Sequence, residues 1–495
     1  MTRRREEISN YPPGLSVEAA EANTGSNMDE DDTDEDSVES ALDLDVDMLK
    51  HMASSRLKRR CVNSCKLTRG LYNEIHLLQF DDGSECIARL ARDPNHPAEK
   101  IASEVATMKY VAQNTRIRVP EVYAWDSKAQ NDIKVPYILM ERLPGKHLYK
   151  IWDKLNAEQK RKILSQIVDV LSELWKCKFK KIGCIYRNSS NSIRSCMTFL
   201  KNLMFYKTIQ PFKIGPIVSP LFYIEGRNEI FDAPSYTGPF GSTRELFYTL
   251  IHKEKQFFTI HGVQELVEED NLNEADAKKR VDELKKKLDL LQSELSKDNP
   301  FDDSIDKPTF ALIHGDFDAQ NILVDDDINT IGIIDWEFSR TGTLWDMCKY
   351  PIWIQEVEKL RALSDAEMEE NREKKELRNY FRQEMVTKLG DISGQILDKR
   401  ERDRRIEDLE AMFTLMVHRF DMLENLLKCF FDDHYKARET VIAEINKSSG
   451  WSILLDESTT ITIDKHLAIL SKHMSLYHIG SNGTSVMTEK MDKRI

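Results

Sequence analysis

Residues 314–321 read HGDFDAQN, set between TFALI (309–313) and ILV (322–324). The flanking runs are short, apolar and strand-like. Four of the eight residues between them, His314, Asp316, Asp318 and Asn321, can bind a proton or a cation. A second carboxylate, Asp335, lies in another apolar run, IGIIDWEF (331–338). A hairpin turn needs one or two such polar residues for its geometry. A catalytic loop needs several at fixed spacing, and this set supplies them.

The residue types suit phosphoryl transfer, in which a protein positions a metal on nucleotide phosphates and orients an acceptor hydroxyl. One carboxylate guides the hydroxyl proton, while another carboxylate and an amide oxygen hold the cation. Four residues separate Asp316 from Asn321, and thirteen separate Asn321 from Asp335. A hairpin over NILVDDDINTIGIID (321–335) would return Asp335 to Asn321 at the open end of two paired strands.

The rest of the chain sets bounds. At 495 residues it exceeds one typical domain, and 40% of its residues are hydrophobic, enough for a sizeable core. The net charge is -13, yet residues 29–47 carry 11 acids and no base, so the remainder carries -13 + 11 = -2. A near-neutral body argues against nucleic acid as a ligand, which calls for a concentrated basic surface. The acidic run reads first as a solvated tail and second as a docking segment for a basic protein partner. Eight cysteines at 61, 65, 86, 177, 184, 196, 348 and 429 include no C-x-x-C pair. They fit reduced thiols rather than a zinc site.

No apolar run approaches the ~20 residues of a membrane span, so no membrane association is expected. The opening MTRRREEISNYPPG lacks the apolar core of a secretory signal. Its early glutamates count against a mitochondrial transit peptide, which leaves the cytoplasm as the expected address and mitochondria as the alternative.

Along the chain, residues 1–50 lack periodicity and read as a disordered acidic tail. RLKRR (56–60) reads as a helix end before a nuclear signal. Residues 51–143 then give strands at CKLTRGLYNEIHLLQF and SECIARLAR, joined by the hairpin turn DDG (81–83), followed by a helix at KIASEVATMKYVAQN and strands at VPEVYAWD and VPYILMERLPGKHL. Residues 144–495 read as mainly helical, interrupted by an irregular insertion at about 180–270. Ser242 and Glu245 fit a capping box. Val281, Leu284, Leu288, Leu291 and Leu295 form an amphipathic stripe too short to establish a coiled coil. LEAMFTLMVHRFDMLENLLKCFF (409–431) reads as a further helix, and no internal repeat is evident.

HGDFDAQNILV followed by IGIIDWE resembles the aminoglycoside phosphotransferase and choline kinase family, whose loop is H-G-D-x-x-x-x-N and whose metal-binding aspartate lies in I-D-W/F-E. Within that family the SEVATM helix, an arginine on the third strand and GPFGSTRE (238–245) are most similar to the fungal group related to altered inheritance of mitochondria proteins. The resemblance implies an α+β, protein kinase-like bilobal fold. It would have a small N-terminal β-rich lobe, a large mainly helical C-terminal lobe and the nucleotide in the cleft between them.

It also implies roles for individual residues. Asp316 would be the catalytic base, Asn321 and Asp335 the Mg2+ ligands in the catalytic loop (314–321) and metal-binding segment (335–337), and His314 a loop brace. Gly70 and Asn73 would lie at the nucleotide loop, with Glu104 on the helix after the third strand. The backbone of Glu141 and Leu143 would meet adenine. Asp346 reads as a structural anchor or helix cap. Asp318 and Asp325–Asp327 read as solvated loop residues, and His96, His147, His252 and His261 as surface or core residues.

One departure bears on activity. Where kinases place a lysine on the third strand, this chain has Arg89, a planar fork rather than a compact ammonium. It could hold the α/β-phosphates and pair with Glu104. The expected activity is ATP- and Mg2+-dependent transfer to the hydroxyl of a small molecule. The alternative is a weak or inactive kinase-like nucleotide-binding scaffold. Protein-kinase activity is disfavoured, because DWEFSRTGTLWD leaves no room for an activation segment.

Overall fold

A computed structural model describes residues 44–69, 72–92, 97–188, 211–219, 222, 237–269, 272–297, 305–355 and 364–402. These fall into two compact units: 44–95 with 123–142, and 96–122 with the chain from Leu143 onward. The helix after the third strand, placed by sequence with the N-terminal lobe, clusters with the second unit instead. The segment 409–431 and Gly70 lie outside the described residues.

The first unit is a five-stranded sheet of β1 (Cys61–Arg69), β2 (Asn73–Phe80), β3 (Glu85–Ala91), β4 (Val122–Asp126) and β5 (Tyr137–Glu141), in the order β1-β2-β3-β5-β4. The β1–β2, β2–β3 and β3–β5 pairs are antiparallel. The DDG hairpin forms as expected: Gly83 adopts φ +78°, a conformation that favours glycine, and the Asp82 carboxylate accepts from Ser84 N at 2.9 Å.

Helix α1 (Val46–Leu57) covers one face of this sheet. Its Leu49, Met52 and Ala53, at helical spacing, are buried with Leu78, Phe80, Cys86, Ala88, Leu90 and Tyr137. The acidic tail read from sequence as 1–50 therefore ends earlier. Asp45, within the acidic run, caps α1 by accepting from Met48 N at 2.9 Å, and Asp47 sits in the first turn, where the helix dipole favours a carboxylate. The expected helix end at RLKRR is also found, with Lys58 closing α1 in the left-handed conformation.

The second unit begins with α2 (Ala98–Asn114), whose Ile101, Val105, Met108 and Val111 are buried. After α3 (Leu148–Trp152) comes α4 (Ala157–Lys176), opened by a full capping box. Gln159 N donates to the Asn156 side chain at 2.9 Å, and Asn156 N donates to the Gln159 side chain at 3.0 Å. Helix Asp365–Leu389 lies against α4, tied by Lys160–Glu373 at 2.8 Å and Lys388–Asp169 at 2.8 Å. The stripe from Val281 to Leu295 is buried along helix Glu274–Lys297. Ser242 accepts from Glu245 N at 3.1 Å, but the Glu245 carboxylate accepts from Gly241 N instead of completing the box at Ser242.

Three small sheets place the loops of this unit. Strand β6 (Lys146–His147) pairs with β10 (Ile322–Val324), which pairs with β11 (Thr330–Ile333). Strand β9 (Ala311–Ile313) pairs with β12 (Arg340–Gly342), and β7 (Cys184–Arg187) pairs with β8 (Phe212–Gly215).

Candidate active site

The polar loop leaves β9 and enters β10 through a 3-10 turn at Ala319–Asn321. The β10–β11 hairpin is the one expected, with Ile322 opposite Ile333 and Leu323 opposite Gly332. Its open end is locked by Ile334 N donating to Asn321 O at 3.0 Å, which sets Asp335 one residue beyond the bonded pair. Asp325 is not a merely solvated loop residue: it closes the hairpin by accepting from Asn329 N at 2.8 Å and Asn329 Nδ2 at 3.1 Å.

Asp316 is held from two sides. Asn321 Nδ2 donates to its carbonyl at 2.9 Å and to its carboxylate at 3.0 Å, and Gln320 Nε2 donates to the same carboxylate oxygen at 3.3 Å. Burial raises the Asp316 pKa to about 7, helped by the negative charges of Asp335, Asp318 and Glu337 and opposed by the Asn321 hydrogen bond. Such a carboxylate is poised to take up a proton near neutral pH.

His314 braces the loop. Its Nε2 donates to Ile334 O at 3.0 Å while its Nδ1 accepts from Asp316 N at 3.1 Å, so the ring is the neutral Nε2–H tautomer. Burial lowers its pKa to about 4, outweighing both hydrogen bonds. The ring stacks edge-on to Trp336, with centroids 4.6 Å apart. Gly315 cannot be replaced cheaply, because a Cβ there would collide with the Glu337 carbonyl. Asp318 accepts from Ala319 N at 2.5 Å and thus caps the 3-10 turn, a role beyond that of a solvated bystander.

The Asp335 segment has an unusual backbone. Asp335 and Phe338 take φ of 59° and 56°, left-handed values rare for non-glycine residues. Asp346 pairs with Arg340 at 2.6 Å and accepts from Thr343 N at 2.8 Å. Burial raises its pKa, but the Arg340 and Lys349 charges outweigh that and leave it below the usual value.

Arg89 is buried at the middle of β3 between Ile75 and Ile138. Asn73 opens β2 opposite Ala91, Glu141 ends β5 opposite Cys86, and Leu143 is buried just beyond. Glu104 is buried on α2.

Three contributors were not anticipated. His147, read as an unremarkable surface or core residue, donates from Nδ1 to Gln320 O at 2.6 Å and so ties β6 to the loop. Lys100 and Glu337 form an ion pair at 3.0 Å with both side chains almost fully buried. Ser339 accepts from Gly315 N at 3.3 Å. None of the three announced itself in the sequence: Lys100 sits one residue, about 100° around the helix, from the apolar stripe that Ile101 begins.

The Asn321 amide hydrogens are directed to Asp316, which leaves its amide oxygen as an acceptor for a cation. Together with the Asp335 carboxylate it would offer oxygen donors of the kind Mg2+ takes. Among the described residues there is no cage of three or more His, Cys, Asp or Glu side chains, and a Mg2+ that keeps phosphate and water ligands needs none.

The model of the phosphotransferase enzyme family matches residues 66–346, more than half of the chain. The chain belongs to that family, and its α+β, kinase-like fold is the one the sequence resemblance implied. A subtelomeric hrmA-associated cluster protein of Aspergillus fumigatus is 29% identical over 197 residues, covering 39% of this chain and 37% of that protein. The mitochondrial altered inheritance of mitochondria protein 9 of Yarrowia lipolytica is 24% identical over 298 residues, 55% of this chain and 48% of its own length. The chain thus spans half or less of the length of these relatives. Among solved structures, ADP-bound aminoglycoside phosphotransferase APH(2'')-Ib aligns with TM-score 0.45 and 12% identity over 80% of this chain and 99% of that one. Among the described residues no helix is long and apolar enough to cross a membrane.

Proposed function

We propose that the chain transfers the γ-phosphoryl group of Mg-ATP to a hydroxyl of a small molecule. The observation that carries this reading is the Asp316 carboxylate, fixed by Asn321 and Gln320, with its proton affinity raised toward neutrality beside the Asp335 segment. Asp316 orients the acceptor hydroxyl and takes its proton. The acceptor oxygen then bonds to the γ-phosphorus as the bond to the bridging oxygen of ADP breaks. Bound Mg2+ would supply charge neutralisation at the phosphates, and Asn321 and Asp335 are the residues that would hold it. Arg89 supplies a fixed positive charge for phosphate. The nucleotide-loop and adenine roles of Asn73, Glu141 and Leu143, and a site role for Glu104, belong to the same reading.

The arginine on β3 is the observation that favours the second reading, a nucleotide-binding scaffold without turnover. Incubating the purified chain with labelled ATP and a metabolite mixture separates the two. A labelled product made by the wild type and lost in Asp316→Asn supports transfer. Mg2+-dependent stabilisation by ATP without any product supports the scaffold. The name of the altered inheritance of mitochondria protein 9 relative favours the mitochondrial address over the cytoplasm, and fractionation of cells expressing the tagged chain tests it.

A further inference from the structure

Lys100 lies in the first turns of α2, four residues before Glu104, and is 3% exposed. Its Nζ meets Glu337 at 3.0 Å and sits 4.9 Å from the centre of the Phe338 ring. Glu337 is likewise 3% exposed. A buried ion pair of this kind recovers its desolvation cost only with good geometry, so its presence asks what it fixes in place.

What it fixes is the segment that carries Asp335. Residues 335–338 contain two left-handed non-glycine residues, Asp335 and Phe338, and such backbone persists only where the surroundings over-determine it. On one side the segment is stitched to the catalytic loop. His314 Nε2 donates to Ile334 O, Gly315 N donates to Ser339 Oγ, and the Glu337 carbonyl closes over Gly315. Within the segment, Trp336 Nε1 donates to Ile333 O at 3.0 Å. On the α2 side the tie is Lys100, which grips Glu337 by charge and Phe338 by its ring face.

We propose that Lys100 and Glu337 are a positioning pair, by which α2 holds the strained Asp335 turn in the conformation that presents its carboxylate beside Asn321. The proposal rests on the reading of Asp335 as a metal ligand for its functional consequence, but its structural content is independent of that reading. Neither residue touches the reacting atoms. The pair also fixes, within one unit, the helix carrying Glu104 to the segment carrying Asp335, so disturbance of either is felt by the other.

The experiment compares the full-length wild type with K100M, K100R and the charge-neutral double variant K100M/E337Q. Amide hydrogen exchange at Gly315, Ile334 and Ser339 is read without ligand, and Mn2+ affinity is read by electron paramagnetic resonance with a non-hydrolysable ATP analogue. In K100M, exchange at these amides rises about 10-fold or more and Mn2+ affinity falls about 10-fold, the scale expected for outer-sphere support of a metal ligand. K100R recovers most of both. The double variant removes both charges of the pair together, and the tie with them, so its exchange stays raised. It serves as the test if K100M does not fold. K160M, which breaks the Lys160–Glu373 pair elsewhere in the same unit, is the control for general destabilisation and leaves exchange at the three amides unchanged.

Wild-type exchange at all three amides in the double variant overturns the proposal. So does a K100M that loses thermal stability alone, with exchange and Mn2+ affinity intact. A wild type that binds no Mn2+ with the nucleotide analogue removes the proposed function, and the exchange measurement then decides the positioning role by itself.

Discussion

The Asn321 side-chain amide donates to both the carbonyl and the carboxylate of Asp316, at 2.9 and 3.0 Å. One residue thereby orients the proposed base and keeps its own amide oxygen available as an acceptor for the proposed cation. This couples the two halves of the proposed chemistry. It also explains why the loop needs an amide at position 321: a carboxylate there would repel Asp316, and a hydroxyl could not serve both purposes.

Asp316→Asn keeps the shape of the side chain and removes its capacity to accept a proton. Turnover should fall by about 10²–10⁴-fold, the range usual for loss of a general base. Nucleotide binding, read by Mg2+-dependent thermal shift, should stay within a few-fold of wild type. Undiminished turnover in this variant would remove the role assigned to Asp316.

Asp335→Ala is expected to differ in kind. It removes a proposed metal ligand, so the stabilisation by Mg-ATP itself should weaken about 10-fold or more in apparent affinity. A variant that binds Mg-ATP normally but turns over slowly would shift Asp335 from metal binding to some other part of the reaction.

The Asp316 carboxylate has its pKa raised to about 7 by burial and by neighbouring carboxylates, well above the ordinary aspartate range. A raised carboxylate pKa means that the folded state binds the proton more tightly than the unfolded state. The resulting stabilisation is complete below the unfolded value and is lost as pH rises through about 7. The ligand-free protein should therefore become less stable between about pH 5 and pH 8, and Asp316→Asn should flatten that slope by raising stability at pH 8. Catalysis runs the opposite way. The base must be unprotonated, so the rate should fall on the acid side, with bound cation moving that limb downward. Calorimetric melting from pH 5 to 8 on both proteins checks the first statement, and the pH profile of kcat checks the second.

The loop was legible because its chemistry is compressed into eight residues and its hairpin is local, so Asn321 and Asp335 could be brought together from strand pattern alone. The strands and α2 were legible from period-2 and period-3.6 patterning. What sequence did not show is long-range or directional. Lys100 meets Glu337 across more than two hundred residues, His147 reaches a backbone carbonyl rather than a side chain, and the left-handed turn at Asp335 and Phe338 carries no glycine to announce it. The tail boundary failed for a different reason: Asp45 and Asp47 belong to a compositionally disordered run and also make good helix-start residues.

Residues 44–57 should behave as part of the first unit. Leu49 is fully buried against Leu78 and Phe80, so Leu49→Ala should cost about 2–5 kcal/mol of that unit's stability, as lost apolar burial plus an unfilled cavity. Chemical denaturation followed by fluorescence measures it. A cost under about 0.5 kcal/mol, typical of surface positions, would return this segment to the tail.

His147 tests how far the support of the base extends. It donates from Nδ1 to the Gln320 carbonyl at 2.6 Å, and the Gln320 side chain in turn donates to the Asp316 carboxylate at 3.3 Å. His147 is also paired with Leu323 on β10, so it fixes the loop relative to a strand that is otherwise well anchored. Replacing it with alanine leaves the Gln320 carbonyl without this donor and frees the 3-10 turn to shift. Small displacements of a base are costly, because proton transfer requires the acceptor hydroxyl within hydrogen-bond reach. His147→Ala should therefore lower kcat about 10-fold while leaving KM for ATP within about two-fold, since its hydrogen bond supports the proposed base through Gln320. His147→Gln, which keeps a donor, should recover part of the loss. Equal changes in kcat and in KM for ATP would mean that the whole unit had loosened and that His147 has no particular hold on the loop.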